Sequence, residues 1–219
     1  MLVSVVNLKC SNCGESLSES MMRCPSCDQP VVVRNVSSLL GLNHAQLSAR
    51  RSAVDRELMG RCDGSFDAAA DFTVGCCLLR LKMYEQSIER LARAISTDPY
   101  NVESLFCSAI AALRGRKAFV TPLADLRQAQ KFIEAAILID ERPIFRFFLA
   151  YIKQDFYDRR CLKIEPNWRW EFQRALSLGL GADDRAELFD LLGQACPEIL
   201  CGASNDDVYH NIWTNGNWS

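Results

Sequence analysis

From about residue 38 to residue 197, apolar side chains recur every third or fourth position, and turn residues interrupt the pattern at intervals. That periodicity predicts helices and leaves no convincing strand alternation in the body of the chain. A long helix is expected over residues 44 to 61. Another begins at Val102 and runs to about residue 113, and its companion ends in the run Ile133-Glu134-Ala135-Ala136-Ile137-Leu138-Ile139-Asp140. A further pair spans about residues 144 to 178. An amphipathic helix over residues 182 to 195 is opened by Asp183 and Asp184 and stopped before Pro197. The first 37 residues differ: residues 2 to 8, 20 to 23 and 30 to 36 are short Val- and Met-rich runs with polar alternation, the pattern of small strands.

The helical body carries an internal period. When Pro99 is set at the stop of a helix-turn-helix unit of roughly 34 residues, Gly75, Ser87 and Ala94 fall where two helices cross closely. Leu78 and Leu91 fall where large side chains interlock. The stretch from Asp71-Phe72-Thr73-Val74-Gly75 to Asp98-Pro99-Tyr100-Asn101 thus resembles a tetratricopeptide repeat, with Asp71 where that family usually places an aromatic and Phe72 beside it. Ile133 to Asp140 parallels Leu91-Ala92-Arg93-Ala94-Ile95 and Asp98. Aligning the second unit with the first requires about eight extra residues, assigned to a surface loop over residues 114 to 122. In the third unit Phe172 and Ala175 take the interlocking places, with an insertion near residues 163 to 167. The resemblance covers residues 65 to 180 and implies an α-solenoid of antiparallel helix pairs. Helix 182 to 195 would cap its end.

Two pairs of cysteines supply the chain's clearest chemistry. Cys10-Ser11-Asn12-Cys13-Gly14 and Cys24-Pro25-Ser26-Cys27-Asp28 have the spacing of an all-thiolate tetrahedral site with no vacancy for water, which points to one structural Zn2+. Gly14 and Asp28 stand at the two turn positions where positive φ is needed to aim backbone N–H groups at sulfur. Residues 1 to 37 resemble the zinc ribbons that stand at the N-termini of many unrelated proteins, a likeness specific for the metal and silent about function. So short a segment cannot bury a sufficient core, so the metal must supply on the order of 10 kcal/mol of its folding free energy. A disulfide framework fits poorly, because no secretory signal precedes the pairs.

The expected organisation is therefore a zinc ribbon over residues 1 to 37, a connector helix over 38 to 64, a repeat domain over 65 to 200, and a tail over 201 to 219. That tail is rich in Asn, Asp and Gly yet carries Tyr209, Trp213 and Trp218. It either docks back on the chain or serves as a short motif for another protein.

Composition narrows the class. With 219 residues, 49% hydrophobic and a formal charge of −2, the chain reads as an ordinary globular protein, and its longest apolar runs are far short of a membrane span. Seven further cysteines at irregular positions fit a reducing cytoplasm. Only two histidines occur, His44 and His210, and no phosphate-cradling glycine loop, so an enzyme acting on a small-molecule substrate is not expected. Cys76, Cys77, Cys107 and Cys161 read as core residues in helices, and Cys62, Cys196 and Cys201 as exposed ones. In the ribbon Lys9, Arg23 and Arg34 meet Glu15, Glu19 and Asp28, and four thiolates around one divalent ion add about two negative charges. That acidity argues against nucleic-acid contact.

The repeat resemblance also implies a concave groove. Carried over by position, Phe72, Phe106, Ile110, Phe145, Phe148 and Ile152 would line it, giving an apolar strip suited to a peptide or amphipathic helix of a partner protein. The carboxylate-clamping Lys, Asn and Arg residues of chaperone-binding relatives are missing. In so short a solenoid the same side chains could instead be core, covered by the N-terminal helix or the tail. The sequence is thus read as a non-enzymatic adaptor. Its rival is a nucleic-acid-associated accessory factor that uses the ribbon for contact and the solenoid for recruitment.

Overall fold

The computed structural model describes residues 8–10, 12–18, 21–60 and 67–201. Most of the expected first strand run, residues 2 to 7, lies outside them, as do Cys62 and the tail residues Tyr209, His210, Trp213 and Trp218. The described chain is mostly helical: α1 His44–Gly60, α2 Ala68–Arg80, α3 Tyr84–Thr97, α4 Val102–Ala112, α5 Leu123–Ile139, α6 Pro143–Ile152, α7 Trp168–Ser177, α8 Ala182–Leu192 and α9 Glu198–Cys201. Two strands, β1 Leu8–Lys9 and β2 Ser16–Leu17, pair antiparallel with Leu8 opposite Leu17. Among these residues no helix is long and apolar enough to cross a membrane.

Local side-chain chemistry starts and stops the helices. Asn43 and Gln46 cap α1 reciprocally, each backbone N–H donating to the other's side chain at 2.9 Å. Asp67 accepts from the N–H groups of Ala69 and Ala70, Asn101 from Ser104, and Asn167 from Trp170. Helix α8 is shorter than expected. Gly193, at φ 64°, ends it ahead of Pro197 because a left-handed residue turns the chain out of the helix.

The chain divides into two compact units, residues 1–116 with 121–140, and residues 117–120 with 141–219. In the first, α1 packs on α2, α2 on α3, α3 on α4, and α4 on α5. Gly75 marks the crossing of α2 and α3: a Cβ there would lie 2.7 Å from Leu91 Cγ, and Ser87 Oγ donates to the Gly75 carbonyl at 2.8 Å. Only glycine allows that approach. Leu91 and Ala94 are fully buried against it.

The departure at Asp71 has a physical reason. Its carboxylate is fully buried and holds Arg90 at 2.9 Å and Arg93 at 3.3 Å, and Arg90 reaches on to Asp55 of α1 at 2.7 Å. An ion-pair network joins three helices where an aromatic would otherwise fill space. Each charge is paired, which is the condition for burying it at all.

The second unit is built around α6, which packs on α7 and α8 and continues as a π turn, Lys153–Tyr157. Glu171, buried, accepts from Lys153 Nζ at 2.6 Å and from Arg146 at 2.8 Å. The predicted loop over 114 to 122 is present between α4 and α5, but it is not wholly a surface loop. Ala118 within it is fully buried, and its N–H donates to the Tyr151 hydroxyl. Cys76, Cys77 and Cys107 are buried as expected, with the sulfurs of Cys76 and Cys107 3.5 Å apart. Cys161 is exposed instead, because the chain turns left-handed there, at φ 55°, after a 3-10 turn. Cys196 and Cys201, expected as exposed cysteines, are instead joined by a disulfide with Cys196 half-buried, a bond that a reducing compartment does not favour.

Candidate metal centre

Two nearly identical turns build the thiol cluster. In the first, Gly14 N–H donates to the Cys10 carbonyl at 2.9 Å and Cys10 N–H to the Glu15 carbonyl at 2.8 Å. In the second, Asp28 N–H donates to the Cys24 carbonyl at 2.9 Å and Cys24 N–H to the Gln29 carbonyl at 2.8 Å. Gly14 and Asp28 have φ of 77° and 55°, the left-handed backbone that this turn demands. Ser26 Oγ donates to Glu15 at 3.0 Å and links the two turns. Arg23 braces the second, donating to the Asp28 carboxylate at 3.1 Å.

The sulfurs of Cys10, Cys13, Cys24 and Cys27 all lie within 4.8 Å of one another. Cys10 and Cys27 are separated by 3.6 Å, Cys13 and Cys24 by 3.5 Å. A tetrahedral centre with metal–sulfur bonds of about 2.3 Å has edges of about 3.8 Å, so the spacing suits one ion held by four thiolates. These four cysteines could hold a metal ion, and the set is compatible with zinc. The N–H groups of Cys13 and Asn12 point at the Cys10 sulfur and hold its thiol down at about 6. At Cys13 the Glu15 N–H pulls the same way, but the Cys24 sulfur, burial and the other two sulfurs push it up to about 12. Without a cation the cluster resists carrying four negative charges. A divalent ion held by the four sulfurs would remove that repulsion.

The strand pattern is sparser than predicted. Beyond β1 and β2, the described part of the segment has only a single bridge between Arg23 and Pro30, and residues 31 to 36 form no strand. The reason is competition from the helices. The Val33 N–H donates at 2.9 Å to the hydroxyl of Thr73 on α2, which takes it out of any ladder. Alongside, Asn12, Gln29 and Pro30 face Val54, Glu57 and Leu58 across a cleft of about 320 Å³.

Phe72, Phe106, Ile110, Phe145, Phe148 and Ile152, expected in a groove, are all buried, none more than 2% exposed. Each unit holds its own share of them, the first three in one and the last three in the other. As folded, these side chains present no open surface to a partner.

Sequence reasoning missed the buried and half-buried charges. Asp55, Asp71, Arg90, Lys153 and Glu171 meet across helices, and Arg50 of α1, fully buried, donates from Nη2 to the Met21 carbonyl at 2.8 Å. The one signal for them was a charged residue inside an apolar stretch, as at Asp71 in α2. Compared with known proteins, the chain matches no family model, and no curated protein shows significant similarity to it.

Proposed function

We propose that the chain is a non-enzymatic cytoplasmic adaptor in which a structural zinc ribbon is joined to a short tetratricopeptide-like solenoid. The observation that carries this reading is the α2–α3 crossing, with Gly75 under Leu91 and Ala94, followed by a second antiparallel pair, α4–α5. Stacked helix pairs of this sort serve mainly to hold surfaces in fixed relation. Zinc is the ion in this reading because four soft thiolates in a closed tetrahedron suit it and leave no position for a reacting water. The partner is a protein that offers a peptide or amphipathic helix, with the ribbon as a second docking module. Since the six expected groove residues are buried, a partner that touches them has to displace what covers them.

Isolation of the intact chain from its native source at physiological salt, followed by identification of what comes with it, tests the proposal. A stoichiometric protein partner, retained after nuclease treatment, is the expected result. Co-isolation abolished by nuclease overturns the reading in favour of a nucleic-acid accessory factor. The Phe106→Glu variant then gives that side chain its role: partner loss from a chain with unchanged melting temperature assigns it to the contact, and unfolding assigns it to the core.

A further inference from the structure

The thiol cluster is not an isolated appendage within its unit. Its own small core contains Cys10, Leu17, Cys24 and Val31. The very next residue, Val32, packs instead against Val54 of α1 and Ala70, Val74 and Leu78 of α2. The residue after that, Val33, gives its N–H to Thr73 on α2, and farther along Arg80 Nη2 lies 3.4 Å from the Leu40 carbonyl. From the helix side, the Arg50 guanidinium reaches back to Met21, between the two cysteine pairs. The segment is fastened to α1 at Met21, in its middle, and to the helices again at Val32 and Val33, where it ends.

We infer that metal occupancy of the four thiolates controls the packing of α1 on α2, so that the site is a metal-dependent latch. This rests on the reading of the cluster as a metal centre. The physical chain is short. Residues 10 to 31 have too little core to hold their shape without the ion. When they lose it, the Met21 carbonyl no longer braces Arg50 of α1. Val32 no longer covers the cluster of Val54 on α1 with Ala70, Val74 and Leu78 on α2, and the junction of the two helices loosens. The apolar face so uncovered is accessible only in the metal-free form. By linkage the effect runs both ways, and whatever tightens α1 on α2 also tightens metal binding.

The test uses the full chain loaded with zinc. Bound zinc is first counted by release to a chromogenic chelator, and amide hydrogen exchange is then followed with the metal bound and removed. The expected result is one zinc per chain, and on its removal exchange in α1 and in the first turns of α2 about tenfold or more faster, with α4 and α5 unchanged. Faster exchange confined to residues before 34 overturns the latch and leaves the metal site standing. Loss of protection throughout the chain overturns it as well. A chain that takes up no zinc and shows no chelator effect anywhere overturns the metal reading itself. The Arg50→Met variant, which keeps the apolar length and drops the charge, gives a second measurement on folded, loaded protein. It should bind zinc about tenfold more weakly and shrink the exchange difference in α1. Unchanged zinc affinity in that variant overturns the inference.

Discussion

The residues around the four cysteines and the helix pairs α2–α3 and α4–α5 are held together in opposite ways. The first have two strands of two residues each and a core in which Cys10 and Cys24 are also members of the thiol cluster. The second bury Phe72, Val74, Leu91, Phe106, Ile110 and Ile133 with hardly any exposed area. Burying side chains of that size contributes about 1.5 to 3 kcal/mol each before conformational entropy is charged against it. On the proposed reading, a small segment that cannot do this depends on one ion, whereas a packed pair depends on many contacts that fail one at a time. One region should therefore respond to a single atom as a unit, and the other in proportion to the volume removed.

The largest effect should come from Cys24→Ser, which removes one of four ligands. The variant should lose zinc under conditions where the parent holds one ion, and with it metal-coupled folding energy on the order of 10 kcal/mol in this segment. Zinc content and limited proteolysis before residue 34 measure it; retained zinc and unchanged cleavage would remove the contrast. Next comes Leu91→Ala, expected to cost about 2 to 5 kcal/mol by denaturant unfolding because it opens a cavity under Gly75. Gly75→Ala alone should destabilise by about 1 to 2 kcal/mol: the new methyl clashes with a fully buried Leu91, partly offset by better helix propensity. The double variant should cost less than the sum of the two, since the added methyl fills part of the cavity. Simple additivity would show that the crossing is looser than described.

The smallest effect belongs to the surface charge of the other unit. Arg174, then Arg146, hold the Glu141 carboxyl down at about 2 from its ordinary 4.5. Because the folded value is depressed, the stabilisation is complete above about pH 4.5 and is lost as pH falls toward 2. Arg174 is 43% exposed, so solvent screening should keep the contribution small. Glu141→Gln should accordingly flatten acid unfolding between those pH values and leave stability at pH 7 within about 1 kcal/mol. A variant with the same acid profile as the parent would mean that the pair contributes nothing.

What the sequence made legible follows the range of each interaction. The thiol turns depend on residues five apart or fewer, and Gly14, Asp28 and the cysteine spacing carried most of their geometry. The caps Asp67, Asn101 and Asn167 are equally local, beside the groups they cap, yet the apolar periodicity did not single them out. The α2–α3 crossing was readable because Gly75 is a small residue where the repeat resemblance requires one. By contrast, Asp55, Asp71 and Arg90 lie on three different helices, and no spacing rule pairs them. The fate of the groove residues was illegible for a related reason. Periodicity tells which face of a helix is apolar, and only the fold tells what covers it.

Val31, Val32 and Val33 are chemically identical neighbours with separate duties: one in the thiol core, one on the helices, one spending its N–H on Thr73. Side chains of an extended chain alternate in direction, so inserting or deleting a single residue just before them would hand each duty to the wrong valine. The segment should therefore resist changes of length far more than changes of side chain. Between the cysteines and the helices the chain is a measured span, and its count of residues carries information that its composition does not.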